Sequence, residues 1–423
     1  MFEKLYATKA FAALAARNFR IFIFGQSLSL VGTWMQRLAM SWLVLRLTGS
    51  GAGLGLIDLS NQAPILVTGF FAGALIDRSN IKKLLIVTQT LCMLQAFALA
   101  FLDLSGAIQY MQVLFLSLML GVVSSIDLPA RQSSVSRMLD HPRQLNSALT
   151  INSTIFNIAR LIGPAIAGFM LQAVGEGICF LLNGISFMAV IFSLTKLKLK
   201  DIPVPAVRKS GWQSFKEGIA YAQDFRLLRL LLFSSAIYFF LCLPYTTLLP
   251  LFARNLYASN ASVLGFFLGS VGFGAIIGVT FQATFVAVKK LHRQLVVSIA
   301  LFGLGLGIFS LSHSVYLSCS SLVVLGFGMS SGSVGFNTLV QSIIDDDKRG
   351  RVMSIYTVGN VGIGPMGSLA AGVVSDFANG TTAGLLLAAG ALLLAWNLRK
   401  MLKVYDRQIL KIFRAKTLAE HVV

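Results

Sequence analysis

Apolar stretches long enough to cross a bilayer recur along almost the whole chain, separated by short basic clusters. Each is about 18 to 28 residues long, and a helix of that length, rising about 1.5 Å per residue, crosses ~30 Å of hydrocarbon. We count twelve of these predicted spans. Their approximate ranges, numbered span 1 to span 12 in chain order, are 19–45, 53–76, 84–103, 110–130, 145–174, 177–197, 227–252, 261–288, 293–312, 315–343, 352–377 and 380–398. With 56% hydrophobic and only 12% charged residues, the chain has too few polar side chains to coat a water-soluble globule. The sequence therefore predicts an all-α polytopic membrane protein.

The basic residues follow the spans in a regular alternation. The chain has 35 Lys and Arg against 16 Asp and Glu, a formal net charge of +19. All but four of the basic residues lie at the two ends of the chain or in every second loop, and the exceptions are Arg37, Arg46, Arg160 and Arg254. Basic loops stay in the cytoplasm. We therefore expect both termini on the cytoplasmic side of a bacterial inner membrane, in contact with lipid and not with nucleic acid.

One long polar stretch divides the spans into six and six. The sequence predicts an N-terminal six-helix bundle at 1–197, a cytoplasmic linker loop at 198–226, a C-terminal six-helix bundle at 227–398 and a basic tail at 399–423. The pair Gly163-Pro164 in span 5 recurs as Gly364-Pro365 in span 11, which is typical of an internal repeat. The tail has two open interpretations, an amphipathic helix on the anionic inner leaflet or a solvated segment.

A recognisable motif follows span 2. The pattern Gly-x-x-x-Asp-Arg-x-Gly-Arg-Lys is matched at Gly73, Asp77, Arg78 and Lys82. It resembles the cytoplasmic signature of the major facilitator superfamily, whose members are transporters with two pseudo-symmetric six-helix bundles. The resemblance implies that these four residues form part of a cytoplasmic gate, in which Asp77 contacts span 11 and an arginine near span 4. A basic loop that only sets the membrane orientation is the alternative.

The motif departs from the family pattern at two positions. Asn80 stands where the family has glycine, and Ile81 where it has arginine. Asparagine tolerates a left-handed backbone better than other residues with a side chain. We therefore expect a left-handed turn to persist at Asn80, and one basic contact of the gate to be lost at Ile81.

Three further segments narrow the resemblance: 34–36 in span 1, 127–132 after span 4 and 157–164 in span 5. They resemble the branch of the superfamily that contains the enterobactin exporter and macrolide efflux proteins. The resemblance implies gating roles for Asp127 and Arg131, and it likens Gly163-Pro164 to the span-5 motif of antiporters, which implies export. Bending of the helix by proline is the simpler interpretation of that pair.

Three charges lie well inside predicted spans, at Arg37, Asp58 and Arg160. Charges in hydrocarbon are costly and usually functional. With a turn near Gly49, Arg37 and Asp58 lie about 18 and 12 Å from the tip of the hairpin of spans 1 and 2 and can reach each other. Asp58 is the only carboxylate that we place deep in a span, so it is the predicted proton-coupling residue. Substrate that binds the neighbouring arginine would release Asp58 from that arginine and let it take up a proton. A static Arg37–Asp58 pair that fixes helix packing is the alternative.

Polar and aromatic side chains recur at helical spacing in several spans. We expect the polar stripes to face a water-filled cavity between the halves, although hydrogen bonding between helices is a competing interpretation. Aromatic residues of span 7 suit an amphipathic substrate. The residues to which we assign substrate or proton-coupling roles on these grounds are Gln36, Asn157, Asn337, Gln341, Tyr238 and Tyr245.

These features predict a proton-coupled exporter of small amphipathic molecules, such as siderophores or drugs, that works by alternating access. Import or uniport of a small metabolite and flipping of a lipid or lysophospholipid are the alternatives. The four histidines lie in loops or at the ends of spans, so we expect neither an enzyme nor a metal site. We expect a monomer that binds a small-molecule substrate, needs no cofactor and draws its energy from the proton gradient.

Overall fold

The computed structural model describes residues 11–199, 211–256, 261–286, 290–345 and 348–420. This part of the chain is almost entirely helical and contains no β-strand. Its α-helices, numbered in chain order, are α1 Arg17–Thr48, α2 Gly51–Arg78, α3 Ile81–Leu104, α4 Tyr110–Val135, α5 Leu145–Lys196, α6 Gly211–Asp224, α7 Arg226–Cys242, α8 Tyr245–Leu256, α9 Ala261–Phe285, α10 Leu291–Leu311, α11 Val315–Ile343, α12 Arg349–Phe377 and α13 Gly380–Glu420.

The helices correspond closely to the predicted spans. Within the described residues, nine helical stretches are long and apolar enough to cross a membrane. One of these stretches contains both spans 5 and 6, so the nine stretches correspond to spans 3 to 12. Spans 1 and 2 correspond to α1 and α2, and the structure therefore has a helix for each of the twelve predicted spans. The prediction of an all-α polytopic fold is confirmed.

A glycine separates spans 5 and 6 inside α5. Gly175 has φ 81° and ψ −179°, a backbone conformation that a side chain strongly disfavours. The helical path therefore breaks at this residue, between the predicted ranges 145–174 and 177–197.

The sequence predicts span 7 as one unbroken helix, but the structure divides it into two. The structure ends α7 at Cys242 and begins α8 at Tyr245, with Pro244 between them. Proline has no backbone N–H to donate, and its ring crowds the preceding turn, so the helix is interrupted there.

The predicted linker loop also contains a helix. α6 covers Gly211–Asp224 and packs in the same unit as the start of α12. Glu217 pairs with Arg351 at 3.0 Å, and the Tyr221 hydroxyl donates to Asp345 at 3.2 Å. The C-terminal half of the linker is therefore attached beside the start of span 11 and is not simply a tether.

The basic tail continues span 12 without a break. α13 runs from Gly380 to Glu420 as one helix. Near the predicted end of span 12, the Lys400 ammonium lies 3.7 Å from the centre of the Trp396 ring. A tryptophan beside a lysine is typical of a membrane interface. Whether the rest of the tail lies on the leaflet stays a prediction.

The chain folds as two compact units. Unit 1 comprises Met1–Gly49, Ser60–Val207 and Ser259–Gly269, and unit 2 comprises Ser50–Leu59, Arg208–Ala258 and Ser270–Val423. The units follow the predicted halves, except that the first turns of α2 group with unit 2 and those of α9 with unit 1. In both cases a glycine lets the first turns of the helix pack closely against a helix of the unit with which they group. A Cβ on Gly55 would lie 2.5 Å from Leu369 Cα, and one on Gly168 would lie 3.0 Å from Gly265 Cα.

Each unit has its own apolar core. In unit 1, Phe19 and Phe22 of α1 pack with Leu85 of α3 and Leu194 of α5. In unit 2, the ring of Tyr238 in α7 packs against Phe302 of α10 and Phe336 of α11. These cores fix the helices that carry the candidate site residues.

Candidate functional site

α1 divides its polar side chains between a buried and an exposed side. Gln26, Ser29 and Gln36 are buried in unit 1, whereas Thr33 and Arg37 are exposed. Thr33 and Arg37 are four residues apart and so lie on one helix face. α1 therefore presents a guanidinium on an open surface, in the middle of a helix predicted to cross the membrane.

Trp34 connects this surface of α1 to α5. A Cβ on Gly163 would lie 2.6 Å from Trp34 Cβ, so the glycine allows the two helices to cross closely. The Trp34 ring meets Phe156 edge-on, with ring centroids 5.7 Å apart. The guanidinium carbon of Arg37 lies 4.8 Å from the Trp34 ring centroid, within the range of a cation–π interaction.

Asn157 and Arg160 continue the surface along α5. The Asn157 amide donates to the Ser153 carbonyl at 2.8 Å. Arg160 is half-buried, and its Nε is buried without a hydrogen-bond partner. In the described part of unit 1, no carboxylate forms an ion pair with Arg37 or Arg160. We refer to this set as the cation–aromatic face, which consists of Trp34, Arg37, Phe156, Asn157 and Arg160.

Gln36 lies in the protein interior and not on that face. Its amide nitrogen donates to Gln95 Oε1 at 3.0 Å, and its amide oxygen accepts from Asn183 Nδ2 at 2.7 Å. All three side chains are buried, which joins α1, α3 and the second part of α5. The substrate-binding role predicted for Gln36 is untested, but its hydrogen bonds in this structure all go to other helices.

Asp127 is a second deep carboxylate, in addition to Asp58. The predicted span 4 ends at 130, but α4 continues to Val135, so Asp127 lies inside the helix and is only 3% exposed. Its Oδ1 accepts from Thr88 at 2.7 Å and Gln89 at 2.8 Å, and its Oδ2 pairs with Arg131. The expectation that Asp58 is the only carboxylate deep in a span is therefore wrong. Sequence reading missed Thr88 and Gln89 because nothing local links α3 to α4.

The cytoplasmic motif is described only in part. Gly73, Asp77 and Arg78 lie near the end of α2, but their side chains lie outside what the structure describes. Lys82 donates to the Thr195 carbonyl at 2.9 Å and to the Leu197 carbonyl at 2.8 Å. A cation at these carbonyls stabilises the C-terminal end of α5.

The turn at Asn80 is not left-handed. Asn80 has φ −67° and ψ 109°, and its side chain accepts a hydrogen bond from the Lys83 amide. It is thus the N-cap of α3, for which asparagine is among the best residues. The expected left-handed backbone was wrong because the side chain supplies a capping acceptor that glycine lacks.

Asp58 belongs to the part of α2 that groups with unit 2, and it is half-buried there. Arg37 belongs to unit 1. The Arg37–Asp58 pairing therefore stays a prediction.

The predicted residues of unit 2 separate into two groups. Tyr238 is 1% exposed and donates its hydroxyl hydrogen to the Met329 carbonyl at 2.7 Å, and Tyr245 is also buried. Asn337 and Gln341 bond to each other, with Gln341 Nε2 donating to Asn337 Oδ1 at 2.6 Å. They line a polar cavity of about 230 Å³ together with Thr338, Ser342 and Arg349.

An ion cluster in unit 1 was not predicted. Arg46 of α1 donates to Asp103 of α3 at 2.5 Å and to Glu176 of α5 at 2.9 Å. The sequence feature that could have predicted this cluster is that all three residues lie at ends of spans on the predicted outer side, where charges from different hairpins meet. The cluster uses two of the buried carboxylates of the unit.

Comparisons with known proteins agree with this architecture. A sequence profile described as "transmembrane secretion effector" matches residues 8–421. The chain is 26% identical over 358 residues to the staphyloferrin A transporter of Staphylococcus aureus, covering 84% of this chain and 89% of that protein. It is 21% identical over 356 residues to the multidrug efflux pump Tap of Mycolicibacterium fortuitum, covering 82% and 86% respectively.

A solved structure shows the same fold. The crystal structure of the nucleoside transporter NupG has a TM-score of 0.73 and 16% sequence identity, covering 92% of this chain and 99% of that one. The predicted superfamily is confirmed. The chain belongs to the transmembrane secretion effector family of the major facilitator superfamily.

Proposed function

We propose that this protein is a proton-coupled exporter of small amphipathic molecules in a bacterial inner membrane, with both termini in the cytoplasm. It moves its substrate by alternating access and carries out no covalent reaction. Family membership supports transport, and the relatives' names, a siderophore transporter and a multidrug efflux pump, support export. Import, uniport and lipid flipping have no comparable support.

The cation–aromatic face is the observation that carries this proposal. Charged and polar residues inside membrane helices usually mark a substrate pathway, because they are too costly to keep for packing alone. Here a guanidinium at Arg37 is exposed beside Trp34, on a helix predicted to cross the membrane. Aromatic rings beside a few polar groups are the usual composition of a small-molecule site.

Asp58 is the proposed coupling residue. A half-buried carboxylate in a membrane helix can gain and lose a proton and so change its charge. An arginine side chain stays protonated and cannot carry the proton in this way. Asp127 is a weaker candidate, because its carboxylate already accepts two hydrogen bonds and pairs with Arg131. Proton binding at Asp58 and substrate binding would then exclude each other, so that the proton is released as the substrate binds.

Inverted membrane vesicles test the proposal directly. With an imposed pH gradient, adding staphyloferrin A or a macrolide is expected to release protons from the vesicles as substrate enters. Asp58→Asn is expected to abolish this proton flux while substrate still binds. Asp224→Asn, an exposed carboxylate at the end of α6, is the matched control and is expected to behave as the wild type.

Two outcomes would contradict the proposal. Proton-coupled uptake by Asp58→Asn at the wild-type rate would remove Asp58 from the mechanism. Substrate movement that is indifferent to the gradient would indicate a uniporter, and movement of a labelled lysophospholipid in its place would indicate a flippase.

A further inference from the structure

The two arginines of the cation–aromatic face lie well inside helices that are predicted to cross the membrane. Arg160 is fifteen residues after the start of α5 at Leu145 and fifteen before the break at Gly175, or about 22 Å from each. Arg37 is eleven residues from the end of α1 at Thr48, or about 16 Å. Both positions are too deep for a guanidinium to reach the headgroup region easily.

The buried carboxylates of unit 1 are already paired elsewhere. Asp103 and Glu176 both bond to Arg46, and Asp127 bonds to Arg131, Thr88 and Gln89. Among the residues of unit 1 that the structure describes, this leaves no buried acidic side chain at Arg37 or Arg160. The Nε of Arg160 is buried with no acceptor. Arg37 is exposed and Arg160 half-buried, on helices predicted to cross the membrane, and a cation without an anionic partner is unfavourable there.

The surroundings of these arginines define what would compensate them. A guanidinium presents a planar set of N–H donors that suits an oxyanion, above all a carboxylate. Beside it, the rings of Trp34 and Phe156 offer an apolar surface, and Phe156 is 44% exposed. An anionic group next to an aromatic or apolar body would satisfy both parts of the face.

We propose that the cation–aromatic face binds an amphipathic organic anion, with its anionic group at Arg37 and Arg160 and its apolar part against Trp34 and Phe156. This deepens the proposed function and rests on it for the statement that the bound anion is the exported substrate. It predicts that this exporter selects acids over the neutral and cationic molecules of the same shape.

Three naphthalene probes of matched shape test the proposal: 2-naphthoate, 2-naphthalenemethanol and 2-naphthylmethylammonium. They are titrated into the purified full-length protein in lipid nanodiscs, and binding is followed by isothermal calorimetry. Naphthoate is expected to bind at least tenfold more tightly than the ammonium probe. Arg160→Gln and Arg37→Gln are each expected to weaken naphthoate binding at least tenfold and to leave the alcohol unchanged.

Three further variants separate charge from packing. Arg160→Lys keeps the charge and is expected to restore part of the naphthoate affinity. Phe156→Leu is expected to weaken all three probes alike, because the apolar contact does not depend on the charge of the probe. Arg254→Gln removes an arginine of unit 2 and is the matched control, expected to bind all probes as the wild type does. Size-exclusion profiles and thermal unfolding establish that each variant is folded.

The outcomes of this test differ from those of the transport test. Equal binding of the three probes, or naphthoate binding that survives both arginine substitutions in folded protein, would overturn the anion site and leave proton-coupled export intact. Selective, arginine-dependent naphthoate binding without gradient-driven transport would retain the site and overturn the exporter.

Discussion

At the scale of single residues, the interior of unit 1 is organised by amide side chains. Gln36, Gln95 and Asn183 form a buried chain of hydrogen bonds between three helices, and Ser186 donates to Asn183 Oδ1 at 3.1 Å. Polar pairs between membrane helices stabilise packing by modest amounts, but an amide left without a partner in the interior is unfavourable. Asn183 is the member whose loss affects the chain most, because it is 1% exposed and bonds to Gln36 across two helices.

Asn183→Leu is therefore expected to lower the free energy of unfolding by about 1–2 kcal/mol. The Gln36 amide oxygen would lose its donor in a site that water does not reach. The measurement is equilibrium unfolding of the detergent-solubilised protein by sodium dodecyl sulfate. Ser186→Ala removes the hydroxyl contacts to the Asn183 carbonyl and Oδ1 but leaves the bond between Asn183 and Gln36, and is expected to change stability by less than about half as much. An Asn183→Leu protein as stable as the wild type would mean that the chain of amides contributes nothing to packing.

The same residues show how far sequence reading reaches at this scale. The positions of Gln36 and Arg37 in a membrane helix could be read from the spans, but which of them is buried depends on the rotation of α1 against α3 and α5. Gln95 and Asn183 lie 59 and 147 positions from Gln36, so no local pattern connects them. Asp127 was placed at a helix end because a hydropathy window does not show that α4 continues past Pro129.

At the scale of helices, the first turn of α2 is held by a residue of α12. Asp376 accepts from the Ser50 hydroxyl at 2.5 Å, the Gly51 amide at 2.6 Å and the Ala52 amide at 3.0 Å. Free amides and a partial positive charge at a helix N-terminus favour a carboxylate. A Cβ on Gly372 would lie 2.1 Å from the Gly51 carbonyl oxygen, so the helices touch backbone to backbone. This contact explains why Ser50–Leu59 groups with unit 2.

Asp376→Ala is expected to speed hydrogen exchange of the Gly51 and Ala52 amides by about tenfold, which corresponds to the loss of a charge-assisted hydrogen bond. Exchange is measured by mass spectrometry on peptides that cover 50–59. Asn379→Ala is the control, since Asn379 accepts from the Thr382 amide at 2.7 Å at the start of α13. Its effect is expected only in peptides around 380–383. Unchanged exchange at Ala52 in Asp376→Ala would show that the glycine crossing alone holds the helix.

The positions of the helices could be predicted because the bilayer sets the length and the apolar composition of each spanning segment. The interruptions of these helices were harder to predict. The break at Gly175 fell between two predicted spans, whereas the break at Pro244 did not, because a proline in a membrane helix can bend it or end it. The helix Gly211–Asp224 was missed because it is held by contacts of Glu217 with α12 and of Tyr221 with Asp345, not by an apolar run.

At the scale of the whole molecule, the distribution of Lys and Arg predicts which ends of the helices face the cytoplasm. The basic clusters alternate with loops of low charge, such as the turn around Ala107 between α3 and α4. The linker helix α6 and the tail after Arg399 lie on the basic side of that alternation. Basic loops tend to be retained in the cytoplasm, so this pattern predicts that both termini and α6 lie on the cytoplasmic side.

Single cysteines at two exposed positions test this orientation. Ala107→Cys lies in the α3–α4 turn and Gln223→Cys lies in α6, and both native side chains are exposed. In intact cells with a permeabilised outer membrane, a membrane-impermeant maleimide is expected to label Ala107→Cys and not Gln223→Cys, and in inverted vesicles the preference should reverse. The native cysteines give little background, because Cys92, Cys179 and Cys242 are buried and Cys319 is half-buried. Labelling of Gln223→Cys from outside would place the linker outside the cytoplasm, and the direction of transport proposed above would then have to be reversed with it.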